Sequence, residues 1–200
     1  MNSTLLRISG LALVIVALLA SPAVAQSPTT GPDHAHEMPG DEIDDATAFD
    51  HMVRGIDVLP SAADMKERFP DVTERLVALA LDEEATTYER WRATSLLGNF
   101  VEPTSERALK ELTDDSEPRV RAMAYYVLGA AFLSDGDDEL FALLKGGLED
   151  DEARVRADVV RSLGWTEYDR AAELLDDIAS GDDESLQSIA ERAMQRRHAD

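Results

Sequence analysis

One helix is written three times in this chain, and that repetition constrains its folding more than any other feature. Tyr88–Gly98 reads YERWRATSLLG, Arg119–Gly129 reads RVRAMAYYVLG, and Arg154–Gly164 reads RVRADVVRSLG. In each, an arginine (Arg90, Arg121, Arg156) stands eight residues ahead of a glycine that follows a leucine. The glycines are 31 and 35 residues apart, and a weaker fourth copy, Ser185–Met194, carries Gln187 in the arginine position. Between copies lie SERALKELTDD, DELFALLKGGLEDD and DRAAELLDDIASGDD, each of which reads as a second helix running into an acidic turn. In the central copy Val120, Ala124, Val127 and Leu128 share one face, extended by Ala131, and a lone helix cannot hide such a face from water. Pairing with the following helix through Leu140, Leu143 and Leu144 covers one side of it, and stacking on the next copy covers another. A fixed period of 20–50 residues built from helix pairs marks a solenoid. The expectation is therefore an all-α chain of about four stacked helix pairs. The glycine ending each first helix is expected to cap it in the left-handed conformation, and Pro118 suits a first helical turn.

These copies resemble HEAT-like repeats of the short bacterial type found in phycobilin lyases. The resemblance rests on DSEPRVRAMAYYVLG and DEARVRADVVRSLG, more loosely on ATTYERWRATSLLG, and covers residues 71–195. It implies a right-handed α-α superhelix that presents a curved face to protein partners. An acid precedes each arginine by six residues: Glu84 before Arg90, Asp115 before Arg121, Asp150 before Arg156. In HEAT-like stacks an acid and an arginine so placed form a ladder between neighbouring repeats, and the resemblance carries that role to these six residues. The alternative is an arginine row gripping an anionic ligand, which is disfavoured because an arginine beside a carboxylate is already paired. The tetratricopeptide order W-x-x-L-G is not met, since Leu97 and Gly98 follow Trp91 only after five intervening residues. Metal-dependent hydroxylases built on HEAT-like repeats need several His-Glu pairs. This chain has one, His36–Glu37, outside the repeats, so no enzymatic activity is expected.

The chain opens MNSTLLRISGLALVIVALLASPAVAQ. Arg7, the apolar run Leu11–Ala20 and the small residues Ala23 and Ala25 have the pattern of a secretory signal peptide, residues 1–25, cut after Ala25. The competing reading is a membrane span, which needs about 20 apolar residues. Residues 26–43, rich in Pro, Gly and acids, read as a flexible leader, and residues 44–200 as the repeat domain. Its first helix is expected over DDATAFDHMVRGIDVL, broken by Pro60, and a short second one over SAADMKERF. DVTERLVALALDEE follows, with Asp71 and Glu74 spaced for a capping box. The leader and the bacterial look of the repeats together place the chain in the periplasm or outside the cell, with no stable membrane insertion after cleavage.

Asp and Glu number 41 against 19 Lys and Arg, for a net charge of −22. Nucleic acid is bound by cationic side chains that displace counterions, so this balance argues against it, and against anionic lipid surfaces. Cysteine is absent, which excludes disulfides, thiol catalysis and thiolate metal sites. Histidine occurs only at 34, 36, 51 and 198. His34 and His36, flanked by Asp33 and Glu37, are the metal candidates, but a closed zinc site wants about four converging ligands. They are expected to be incidental, and no cofactor is implied. SDGDDEL, Ser134–Leu140, has the acids but not the spacing of a calcium loop; its acids suit a helix N-terminus instead. Trp91 occupies the position held by Ala122 and Ala157. It serves either as a partner anchor, together with Tyr126, or as packing between repeats, the latter being favoured. The functional expectation is an exported, non-enzymatic protein-interaction or scaffold module. Its partner surface would be a concave side lined by second helices, where Glu106, Glu111 and Asp138 are available to basic groups. Two alternatives remain open. One is a metal- or small-molecule-binding enzyme or accessory protein using an acidic groove. The other is an envelope structural protein whose acidic surface serves solubility.

Overall fold

The computed structural model describes residues 43–55 and 61–197. The expected signal peptide, nearly all of the leader, and His34, His36 and His198 lie outside them. Within the described residues there are ten α-helices and no strand. Three precede the copies: α1 (Asp45–Arg54), α2 (Ala62–Arg68) and α3 (Val72–Leu81). The copies follow as α4 (Thr87–Leu97) with α5 (Pro103–Leu112), α6 (Pro118–Val127) with α7 (Asp138–Gly146), and α8 (Ala153–Leu163) with α9 (Asp169–Ala179). The fourth copy is α10 (Glu184–Arg197).

Every second helix begins 15 residues before the next first helix: Pro103 to Pro118, Asp138 to Ala153, Asp169 to Glu184. The excess in the 35-residue spacing therefore sits inside the second copy. There α6 continues as a π-helical turn over Leu128–Phe132, closed by Leu133 N–H donating to Leu128 O at 3.0 Å. A loop containing Gly136, with φ 85° and so in the left-handed region, then leads into α7. Asp137 caps α7, its carboxylate accepting from Leu140 N–H at 2.9 Å, so the acids of SDGDDEL serve a helix start.

The core runs the length of the stack. Leu76, Leu97, Leu109, Val120, Leu128, Leu140, Leu144, Leu163 and Leu175 are fully buried. The first helices pack directly on one another, α4 on α6 on α8 on α10. Beyond the α3–α5 pair, the second helices touch the first-helix layer and the turns but hardly each other. The first-helix layer is thus the more continuously packed of the two.

The glycines explain how that layer packs so closely, and not by the expected left-handed cap. Gly98 and Gly164 have φ of −63° and −76°, ordinary right-handed helical values. What matters is the missing side chain. A Cβ on Gly98 would lie 3.2 Å from Val127 Cγ1, on Gly129 2.6 Å from Ser162 Cβ, and on Gly164 2.9 Å from Ala193 Cα. In each case the atom struck belongs to the following copy, two residues before its own glycine position.

Two further expectations need correction near the start of the stack. The first helix stops at Arg54 rather than running toward Pro60, because Gly55 turns extended (ψ 129°). Glycine has low helix propensity, and Arg92 fixes the exit by donating to Val53 O at 3.1 Å and Gly55 O at 2.9 Å. Asp71 and Glu74 form no capping box; the Asp71 carboxylate takes Arg75 Nε at 2.9 Å instead. Capping boxes occur at Ser61 with Asp64 and at Thr86 with Glu89.

Candidate functional site

The acidic turns between copies and the exposed face of the first helices carry the chemistry of this molecule. At the second and third turns, the arginine of one copy reaches forward to the acid of the next. Arg90 pairs with Asp115, their side chains 6% and 7% exposed. Arg121 grips Asp150 with both Nε and Nη2, at 3.0 and 3.1 Å. Each acid also turns back on its own copy: Asp115 and Asp150 accept from the N–H of Glu117 and Glu152, both at 2.8 Å. Their backbone carbonyls then accept from Nη1 of Arg121 and Arg156, both at 2.7 Å. One aspartate thus joins two copies and starts a helix. The Arg121 guanidinium holds the Asp150 carboxyl below its usual range, and Arg121 is raised in turn.

The other members of the six expected ladder residues are not brought together in this way. Glu84 is exposed and forms no rung; its N–H donates to Asp82 Oδ1 at 3.0 Å. Arg90 anchors back to Ala80 O at 3.1 Å instead. Arg156 donates to Asp150 O and, at 3.0 Å, Asp151 O, but meets no forward carboxylate among the described residues. The corresponding position in the fourth copy is Gly181. Gln187, standing where the arginine would, donates to Gly181 O, the same backward reach of six residues that Arg121 and Arg156 make.

Between the second and third turns lies an open notch of about 520 Å³. Asp114, Asp115, Glu149, Asp150 and Asp151 line it, with Arg121 as its single cation. Asp115 and Asp150 are occupied by the ladder, which leaves Asp114, Glu149 and Asp151 facing the opening. Tyr125 forms part of the wall, its ring seated against Gly147, where a Cβ would come within 2.7 Å of Cε1. Burial pushes the Tyr125 hydroxyl up from its ordinary value.

The residues expected on the partner surface are scattered. Trp91 is half-buried beneath the guanidinium of Arg119 from the following copy, 4.4 Å from its ring centre, with Tyr88 at 5.9 Å. It packs between copies. Glu106 is paired with Lys110 at 2.9 Å, and Glu111 is exposed. Asp138 accepts from Tyr168 Oη at 2.7 Å and pairs with Arg170, which together lower its carboxyl below the ordinary range. Tyr126 is half-buried on α6. His51 is exposed, and among the described residues no three metal-ligating side chains converge. No helix among them is long and apolar enough to cross a membrane.

Sequence reasoning missed the character of the open face of the first helices. Three outward positions recur on or just beyond each first helix. They hold Tyr88, Ser95 and Asn99 in the first copy and Arg119, Tyr126 and Ala130 in the second. In the third they hold Arg154, Arg161 and Trp165, and in the fourth Ser185, Arg192 and Arg196. None is buried, five are arginine, three aromatic and none acidic. Reading the copies as columns, rather than scanning the chain for motifs, exposes this segregation.

No protein-family profile matches the chain, and no curated protein does. Among solved structures, human deoxyhypusine hydroxylase in complex with glycerol matches 64% of this chain with a TM-score of 0.52 and 22% identity. The match covers 44% of that protein, so this chain spans less than half its length. The likeness shows the fold, a HEAT-like helical solenoid. It does not single out the short bacterial phycobilin-lyase type.

Proposed function

We propose that the chain is an exported, non-enzymatic HEAT-like module that holds a protein partner by a basic segment. One observation carries this reading: the notch between the second and third turns is lined by five carboxylates against one guanidinium. A lysine or arginine of a partner entering it would meet Asp114, Glu149 and Asp151, which the ladder leaves open. Ion pairs of this kind, at the solvated rim of a protein, set selectivity and association rate more than raw affinity. Export rests on the leader read from the sequence, and the repeat architecture suits a scaffold because stacked copies offer extended surfaces.

The test is capture of a lysine-rich peptide by the full chain at low and high salt. The combined change Asp114→Asn, Glu149→Gln and Asp151→Asn is expected to abolish salt-sensitive capture while leaving helicity unchanged. Capture that neither salt nor the triple change weakens would refute an electrostatic grip at this notch.

A further inference from the structure

We infer that the cleft between α8 and α10 is a docking point for an acidic segment of a protein partner. Arg161 reaches the cleft from α8, and Arg192 and Arg196 from α10; Ile189 and Ala193 form its floor, and it encloses about 80 Å³. That volume accepts one side-chain end and falls well below the roughly 300–1,000 Å³ of a small-molecule site. Among the described residues the three guanidiniums make one ion pair, Arg161 with Asp158. Arg192 is exposed and makes no ion pair among the described residues. Arg196 lies over the ring of Trp165 at 4.3 Å, with one long bond to Arg161 O at 3.5 Å. Stacking does not demand these charges: Ser95 and Tyr126 hold the position of Arg161 and Arg192 in the first two copies, and Asn99 and Ala130 hold that of Arg196. The cleft is a local excess of positive charge on a chain of net charge −22.

The chemistry selects the occupant. Long-range repulsion from so acidic a chain opposes polyanions such as nucleic acid or an anionic bilayer. A short protein segment with one or two carboxylates among apolar side chains needs only the local field. Charge-assisted bonds from a guanidinium fork to a carboxylate are strong and directional. Trp165, 39% exposed beside the cleft, supplies apolar contact, and Trp and Arg are enriched where binding energy concentrates. This site stands apart from the acidic notch and has the opposite sign.

The probe is a short fluorescein-labelled peptide alternating Glu with Leu, titrated with the full chain by anisotropy, against a control peptide with Gln for Glu. The acidic peptide alone should bind saturably. Arg192→Gln combined with Arg196→Gln should weaken it about tenfold or more, whereas the notch triple variant should leave it unchanged. Arg196 also covers Trp165, so Arg192→Gln alone serves as the second variant; it should weaken binding several-fold with an unaltered circular dichroism spectrum. Equal affinity for both variants, equal affinity for the Gln peptide, or sedimentation showing the cleft filled by a second copy of the chain overturns the inference.

Discussion

The lower and upper rungs of the ladder differ in one atom group, and the difference separates what fixes a copy from what merely continues it. Arg90 and Arg121 each end on a carboxylate of the next copy, in one case almost fully buried and in the other only slightly exposed. Arg156 has the same backward hold on the turn but finds Gly181 where Asp115 and Asp150 stand in the earlier copies. The fourth copy is nevertheless in register, since Gln187 keeps the backward bond and Ala193 keeps the contact with Gly164. Close packing of small residues therefore sets the register, and the ion pairs lock it. At the upper end another device takes over: Arg197, at the end of α10, donates to Thr166 O and, at 3.4 Å, to Leu163 O and Tyr168 O.

The largest test of this contrast is Arg90→Gln. It strands Asp115 in a site where both partners are about nine-tenths buried, and breaking such a pair typically costs about 3–5 kcal/mol. Urea denaturation should show that loss, against under about 1 kcal/mol for Arg156→Gln, where no carboxylate is abandoned. Equal costs for the two would erase the distinction between closed and open rungs.

The second test uses pH. Because Asp150 is held below its unfolded value by Arg121, its contribution is present above the ordinary carboxyl range and is lost as pH falls through the lowered folded value. The stability of the chain should fall on acidification by about 1 kcal/mol more than that of Asp150→Asn, compared by denaturation near neutral pH and well below the carboxyl range.

The smallest test adds rather than removes. Gly181→Asp places a carboxylate opposite Arg156. The residue has an ordinary negative φ, and the nearest atom to a new Cβ is Ile178 O at 3.3 Å. A gain of a few tenths of a kcal/mol, visible in the melting temperature and absent when Arg156 is also Gln, would sharpen the comparison through a double-mutant cycle.

Much of this molecule can be read from the chain, because the features that build it are local and repeated. The helix pairs follow from apolar spacing. The acid six residues before Arg121 and Arg156 marks a turn that both caps a helix and ends a rung. What could not be read is directional. Spacing put Asp115 with Arg121, whose bond runs to the carbonyl; the carboxylate belongs to Arg90, about a repeat earlier, and only stacking reveals it. The glycines were misread for a similar reason: a helix-ending glycine suggests a local turn, but here its neighbour is about thirty residues away. How closely each layer packs is a property of the stack, and no single copy encodes it. The arginines on the first-helix face escaped because a net charge of −22 describes the sum and hides the columns.

Each rung has its donor in an earlier copy and its acceptor in a later one. The stack consequently has a sense, like a zipper whose slider travels one way. As the chain is made from its N-terminus, the second and third turns each deliver the anion awaited by a cation already synthesised. Shortening the molecule from its far end would leave a guanidinium unmet. Shortening it from the near end would leave an aspartate that still has a helix to begin.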